Sequence, residues 1–151
     1  MTVEHRIAAA RETVWAALND AEVLRACIPG CEELEKTSDT ELSARVVQKI
    51  GPVKAKFKGD GELSNINAPE SYTIRGEGSG GVAGFAKGGA DVVLAEDGAE
   101  TILTYEVQAT VGGKLARLGS RLIDSTARKL AGQFFENFQA HLNGPAEDTK
   151  D

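Results

Sequence analysis

The side chains able to do chemistry are few: two histidines, two cysteines and two tyrosines in 151 residues. Cys27 and Cys31 lie close together in CIPGC. A structural zinc site wants four ligands, and His5 and His141 sit at opposite ends of the chain, so no metal is expected. Two cysteines in a chain without secretory features also argue weakly for a disulfide. Acid–base or nucleophilic catalysis needs a His, Asp or Glu aimed into a cavity, with a partner to orient it. The inward strand positions carry no carboxylate, and His5 is the one histidine on a strand. No haem or iron–sulfur motif is present. The chemistry left is that of binding. Gln48 stands on an otherwise apolar strand face, and a buried amide needs a partner; a ligand carbonyl or a backbone group near the sheet rim would each serve. Tyr72 and Tyr105 offer apolar bodies with a hydroxyl able to reach a ligand oxygen.

Positioning these groups requires a sheet. Residues 2–8 read as a strand, Arg11–Asn19 as a short helix, and Asp20 caps a second one that ends at Pro29-Gly30. Alternating apolar residues then mark strands: Leu42 to Ile50, Val53 to Phe57, Tyr72 and Ile74, Ala90 to Leu94, and Leu103 to Val111. Gly51-Pro52, Asn67-Ala68-Pro69 and Glu96-Asp97-Gly98 are the turns. From Lys114 to Leu142 the period changes to 3.6, which predicts one helix about 42 Å long at ~1.5 Å per residue. Such a helix is stable only on a broad concave partner. The expected architecture is therefore α+β: a curved antiparallel sheet of about seven strands around one long C-terminal helix, with two short helices after strand 1. Residues 1–143 form this single domain and 144–151 a short polar tail.

Gly76 to Gly89 reads GEGSGGVAGFAKGG, with seven glycines in fourteen residues. Strand interiors avoid glycine, so this density predicts bends: either Gly80-Gly81 and Gly88-Gly89 flank a flap tipped by Phe85, or the segment is a tight bend with Phe85 tucked inside. No phosphate-loop pattern is present. Net charge is -6, which argues against nucleic-acid binding. Basic residues nevertheless gather in two rows: Lys54, Lys56 and Lys58 on one strand face, and Arg117, Arg121 and Arg128 along the helix. Both suit solvent, and both suit contact with an anionic surface, lipid or protein. No apolar run reaches the ~20 residues of a membrane span, and the N-terminus lacks a signal-peptide core. The expected location is cytoplasmic, with peripheral contact at the inner face of the membrane in view.

The segments VWAALND, CIPGCEELE, KIGPVKAKFKG, GEGSGGVAGFAKGGADVVL, VGGKLARLGSRLID and FFENF, in this order, closely resemble the G-subunit family of carbon monoxide dehydrogenase from about Val3 to Leu142. That family falls in the START/polyketide-cyclase-like (SRPBCC) superfamily, so the resemblance implies the helix-grip fold and an apolar ligand. It also implies a partner: a molybdenum-containing carbon monoxide dehydrogenase or related hydroxylase. Family members are linked to membrane attachment of that enzyme and to electron transfer through a bound quinone, menaquinone or ubiquinone. Longer members continue into a membrane-seeking tail. This chain stops at GPAEDTKD, so attachment by a tail is not expected.

The ligand pocket is expected between sheet and helix, walled by Ile28, Gln48, Phe57, Tyr72, Tyr105 and Val107, by Leu115, Leu118 and Leu122 from the helix, and by Phe85 at its mouth. Phe85 and Lys87 are candidates for partner docking; Lys54, Lys56, Lys58, Arg117 and Arg121 for membrane or acidic-surface contact. No catalytic or metal-binding residue is assigned. The leading expectation is a non-catalytic carrier of a membrane quinone. The alternative is an adaptor that recruits or matures the dehydrogenase without a functional ligand. A small hydrolase or cyclase using His5 or Tyr105 ranks below both.

Overall fold

The computed structural model describes residues 2–143; the polar tail at 144–151 lies outside the described residues. Strand β1 (Thr2–Ile7) leads into helices α1 (Arg11–Leu18) and α2 (Ala21–Cys27). Strands β2 (Cys31–Lys36), β3 (Glu41–Ile50), β4 (Val53–Asn67), β5 (Ser71–Ser79), β6 (Phe85–Asp97) and β7 (Glu100–Gly112) follow, and α3 (Ser120–Asn143) closes the described chain. All pairings are antiparallel, in the order β1-β7-β6-β5-β4-β3-β2. Antiparallel neighbours need only short turns, so six consecutive strands form a meander and β1 joins it beside β7.

Alternation along the strands sets the inner face. Leu63, Tyr72, Val92, Leu94, Leu103 and Tyr105 are buried, whereas Asp91, Val93 and Glu106 beside them are exposed. The inner face meets Phe135 and Phe138 of α3, Val14 and Leu18 of α1, and Val23 and Cys27 of α2 in one core. The small helices are fixed by specific bonds. The Asp20 carboxylate accepts from the backbone N–H of Glu22 at 2.9 Å, capping α2 and satisfying a donor that has no partner within the helix. Thr101, fully buried, donates its hydroxyl to the Ala9 carbonyl at 2.7 Å and ties the entry of α1 to β7. The Asn137 amide donates to the Cys27 carbonyl at 3.0 Å and ties α3 to the end of α2.

Three sequence expectations change. The single C-terminal helix is two pieces. Residues Gly113–Leu118 form a 3-10 segment, and Gly119, at φ 91°, turns the chain before α3 begins at Ser120. That left-handed backbone ends a right-handed helix, whatever the apolar period says. Second, β2 carries no apolar alternation: CEELEK is an edge strand with Leu34 as its inward apolar residue, a composition that protects an unpaired edge. Third, most of the glycine segment is strand. Gly76 and Gly78 lie in β5, Gly88 and Gly89 in β6, and the departure is confined to a tip turn, the 3-10 stretch Gly81–Ala83. There Gly84 holds φ 111°, and a side chain on it would run into the Gly112 carbonyl. Among the described residues no helix is long and apolar enough to cross a membrane.

Candidate functional site: an apolar chamber under the C-terminal helix

The sheet and helix do not close on each other everywhere. Between them lies a chamber of about 290 Å³. Its sheet wall is built from Leu63, Tyr72, Ile74, Val92, Leu103, Tyr105 and Val107. The helix wall comes from Ala131, Phe134 and Phe135 of α3. Ala131 stands one turn before the two phenylalanines and removes side-chain volume where a larger residue would fill the space. Leu18, Leu24 and Ile28 close the third side, and Leu34 and Lys36 of β2 reach it from the edge.

Lys36 and Asn19 mark the rim. An ammonium group is not taken out of water without a partner, and Lys36 donates to the Asn19 carbonyl at 3.3 Å. Asn19, Leu24, Ile28, Leu34 and Lys36 keep part of their surface in solvent, as do Ile74, Ala90, Val107, Ala131 and Phe134 among the lining residues. Inside, polar groups are confined to two phenols. Burial pushes Tyr72 up to about 12, and it also raises Tyr105; both stay protonated at neutral pH. The Tyr105 hydroxyl is buried and has no hydrogen-bond partner among the described residues. Its ring stacks on Phe135 at 5.2 Å, with His5 stacked on Phe135 at 4.3 Å. Burial holds the His5 imidazole below its usual range. Among the described residues, His5 does not line the chamber, and no carboxylate does. The arrangement suits holding an apolar molecule; among the described residues it holds no acid–base pair.

The structure gathers Ile28, Tyr72, Tyr105 and Val107 in this wall and places the other expected pocket residues elsewhere. The Gln48 amide donates to the Pro29 carbonyl, the backbone partner near the rim. The Phe57 ring packs on Gly80, where an added Cβ would lie 3.2 Å from it. Phe85 is 45% exposed, on the outer face of β6 together with Lys87, so it guards no mouth. Leu115 is buried in the 3-10 segment but outside the main core, Leu118 ends that segment, and Leu122 sits over Gly51 at the β3–β4 turn. The reason is the break at Gly119, which leaves Leu115 and Leu118 in a separate turn. No residue from Ser120 to Leu130 is fully buried, and the helix meets the chamber in its second half. The signal for that was available in FFENF, with Ala131 ahead of it. Leu34 and Lys36 had no such signal, because β2 was not legible as a strand.

Lys54, Lys56, Lys58, Arg117 and Arg121 are exposed. Cys27 is buried and Cys31 half-buried; both are free thiols, and burial raises both above the usual thiol range. A second, polar groove of about 830 Å³ crosses the outer sheet face between side chains such as Glu62, Arg75, Glu77, Lys87 and Glu106.

With this geometry in view, similarity to known proteins decides the lineage. The family model for the G subunit of carbon monoxide dehydrogenase (CoxG) matches residues 4–143. The chain belongs to the CoxG family. A conserved protein from Geobacillus kaustophilus is 30% identical, covers 95% of each chain and superposes with a TM-score of 0.89. A START superfamily protein from Mycobacterium smegmatis shares the fold at 13% identity and TM-score 0.71, covering 95% of this chain and 96% of its own. A STAR-related lipid transfer protein fragment from Xanthomonas axonopodis does so at 22% and 0.64, covering 95% and 85%. No curated protein matches the sequence. This CoxG-family chain thus has the START-like helix-grip fold, and its chamber lies between the grip and the helix.

Proposed function

We propose that this CoxG-family chain is a non-catalytic carrier whose chamber takes the head group of a membrane quinone, menaquinone or ubiquinone, and passes it to or from a molybdenum-containing carbon monoxide dehydrogenase or related hydroxylase. One observation carries the reading: an almost wholly apolar chamber with, in its wall, a buried phenol that has no hydrogen-bond partner among the described residues. At about 290 Å³ it is at the lower end of small-molecule sites. It therefore holds a ring, and an isoprenoid tail leaves over the half-buried rim at Leu24, Ile28 and Leu34. Family membership supports the dehydrogenase as partner. The lack of an acid–base pair at the chamber favours carriage over turnover. Electrons, in this reading, travel on the ligand.

The test is ligand extraction and mass spectrometry of protein purified from its native host, with quinone binding measured by titration of the delipidated protein. An isoprenoid quinone in the extract, and saturable binding, are expected. Absence of both overturns the carrier reading and leaves recruitment of the enzyme as the function.

A further inference from the structure

We propose that the open half of β7, residues 108–112, is a self-association edge: a second copy of this chain pairs with it, antiparallel and about a two-fold axis, to make one continuous sheet. The contact does not depend on what the chamber holds.

Strand β1 pairs with residues 101–106 of β7 and so fastens the part that carries Leu103 and Tyr105. β7 itself runs on to Gly112, with β6 beside it the whole way. Among the described residues no strand lies on the other side of residues 108–112. Gln108, Ala109 and Thr110 are all exposed, although alternate side chains point to opposite faces, so neither face is covered along this edge. An open strand edge is a template for another strand. The two ends of the sheet treat that hazard differently. β2, at the far end, carries Glu32, Glu33 and Glu35 and a register shift between Cys31 and Glu33, two devices that discourage an incoming strand. The stretch QATVG of β7 has no charge, no proline and no bulge against β6.

The edge fits a second copy of itself. Antiparallel pairing joins residues of the same face and the same hydrogen-bonding type, so a two-fold axis must pass through a residue position. Placed at Thr110, it pairs Gln108 with Gly112 of the second copy, Ala109 with Val111 and Thr110 with Thr110, and every open residue is used. One residue earlier, the axis would drive Gly112 into the place that β1 holds beside Glu106. One residue later, it would reach past Gly112 into the turn at Gly113, where φ is 70°. Centred on Thr110, the shared ladder fills the gap and leaves β1 in place. Threonine then meets threonine on the outer face, and alanine meets valine twice on the inner. At each end, exposed Glu106 of one copy comes beside exposed Lys114 of the other. The Phe85 ring, 45% exposed, lies over Gly112, and Gln108 of the second copy falls next to Gly112 in the same row and covers it.

Main-chain bonds alone would accept a strand from any protein. The fit of the gap to its own length, and the opposite charges brought together at both ends, favour the second copy. Such a contact is isologous and closes after two subunits. Its axis stands perpendicular to the sheet, so both inner faces look the same way and the two chambers lie side by side.

The test is sedimentation equilibrium of the full chain. So short a ladder is at the small, transient end of interfaces, so concentrations reach about 500 µM, and a reversible monomer–dimer equilibrium is expected. Thr110→Lys sets two ammonium groups on the axis and should weaken the dimer about tenfold. Thr110 is exposed, so the variant monomer should keep its circular dichroism and Tm. Thr110→Cys reads the register. Opposite Cα atoms of an antiparallel pair lie about 4.5–5.5 Å apart, within disulfide reach, so oxidised glutathione should link two copies through position 110, as peptide mass spectrometry identifies. Ser79→Cys, exposed but two strands inside the edge, should not link. A monomer at every concentration, a dimer indifferent to Thr110→Lys, or a dimer whose Thr110→Cys form does not link overturns the proposal. So does a monomeric protein whose association with the dehydrogenase is lost in the Thr110→Lys variant, which would give the edge to a strand of that enzyme.

Discussion

Tyr105→Phe should make the empty protein more stable. Tyr105 is 5% exposed, and its hydroxyl has no hydrogen-bond partner among the described residues. In the unfolded chain the same hydroxyl is solvated by water. Folding therefore removes those bonds without replacement, at a cost of about 1–3 kcal/mol. Phenylalanine keeps the ring, its stacking on Phe135 at 5.2 Å and nearly all its apolar contact. Taking the lower end of the range, because the hydroxyl still makes van der Waals contacts, the variant gains about 1 kcal/mol. For a domain of this size that is roughly 2–4 °C in Tm. Differential scanning calorimetry and urea titration of delipidated protein measure it. A loss of about 1 kcal/mol instead would show that the hydroxyl is satisfied in the free protein, for example by an ordered water, and the claim of an unmet polar group in the wall would fall.

Tyr72 gives a pH signature. Its folded value of about 12 lies above the ordinary 10.0, so the folded state keeps a proton that the unfolded chain sheds. Stability is full below pH 10 and erodes as pH rises from 10 toward 12, by about 3 kcal/mol in all at ~1.4 kcal/mol per pH unit; urea midpoints should fall between about pH 10 and about pH 12, and Tyr72→Phe should flatten the profile. Ala131→Phe should fill the chamber and abolish quinone binding with stability changed by less than about 1 kcal/mol, because it adds volume where space exists; a fluorescence-quench titration with unaltered affinity would place the ligand elsewhere. Gly84→Ala combines a left-handed φ of 111° with a collision at the Gly112 carbonyl. It should cost about 2–3 kcal/mol, and chemical denaturation reads it. Thr101→Val strands the Ala9 carbonyl and should cost about 1–3 kcal/mol; an unchanged midpoint would mean that this tie does not anchor α1.

Elements whose residues follow one period were legible in the sequence. Strands β3, β6 and β7 announce themselves by alternation, Asp20 by its place ahead of Glu22, and the sheet-plus-helix plan by the change of period after Gly112. What stayed hidden was set by tertiary pairing. Glu32, Glu33 and Glu35 make β2 look like a solvated loop, because an edge strand needs apolar residues on one face alone and has few of them here. The C-terminal half of β4 was hidden by Gly59 and Gly61, which are accepted there because pairing on both sides holds the ladder. The chamber was foreseen as a kind of place, and Tyr72, Tyr105, Val107 and Ile28 fall in its wall. Its position along α3 was not foreseen, because a helical period continues through Gly119 in the sequence while the backbone does not.

The edge position of β2 has a mechanical consequence. Leu34 and Lys36 belong to the chamber wall, yet their strand is held by one neighbour and ends the sheet. Every other strand in the wall is zipped on both sides, so distending the cavity there would tear two ladders at once. At β2 a single short ladder has to loosen, one already interrupted by a register shift between Cys31 and Glu33, together with its packing on α2 and the Lys36–Asn19 bond. A cargo larger than the resting volume would therefore be admitted by peeling this selvedge, while the aromatic back wall stays rigid.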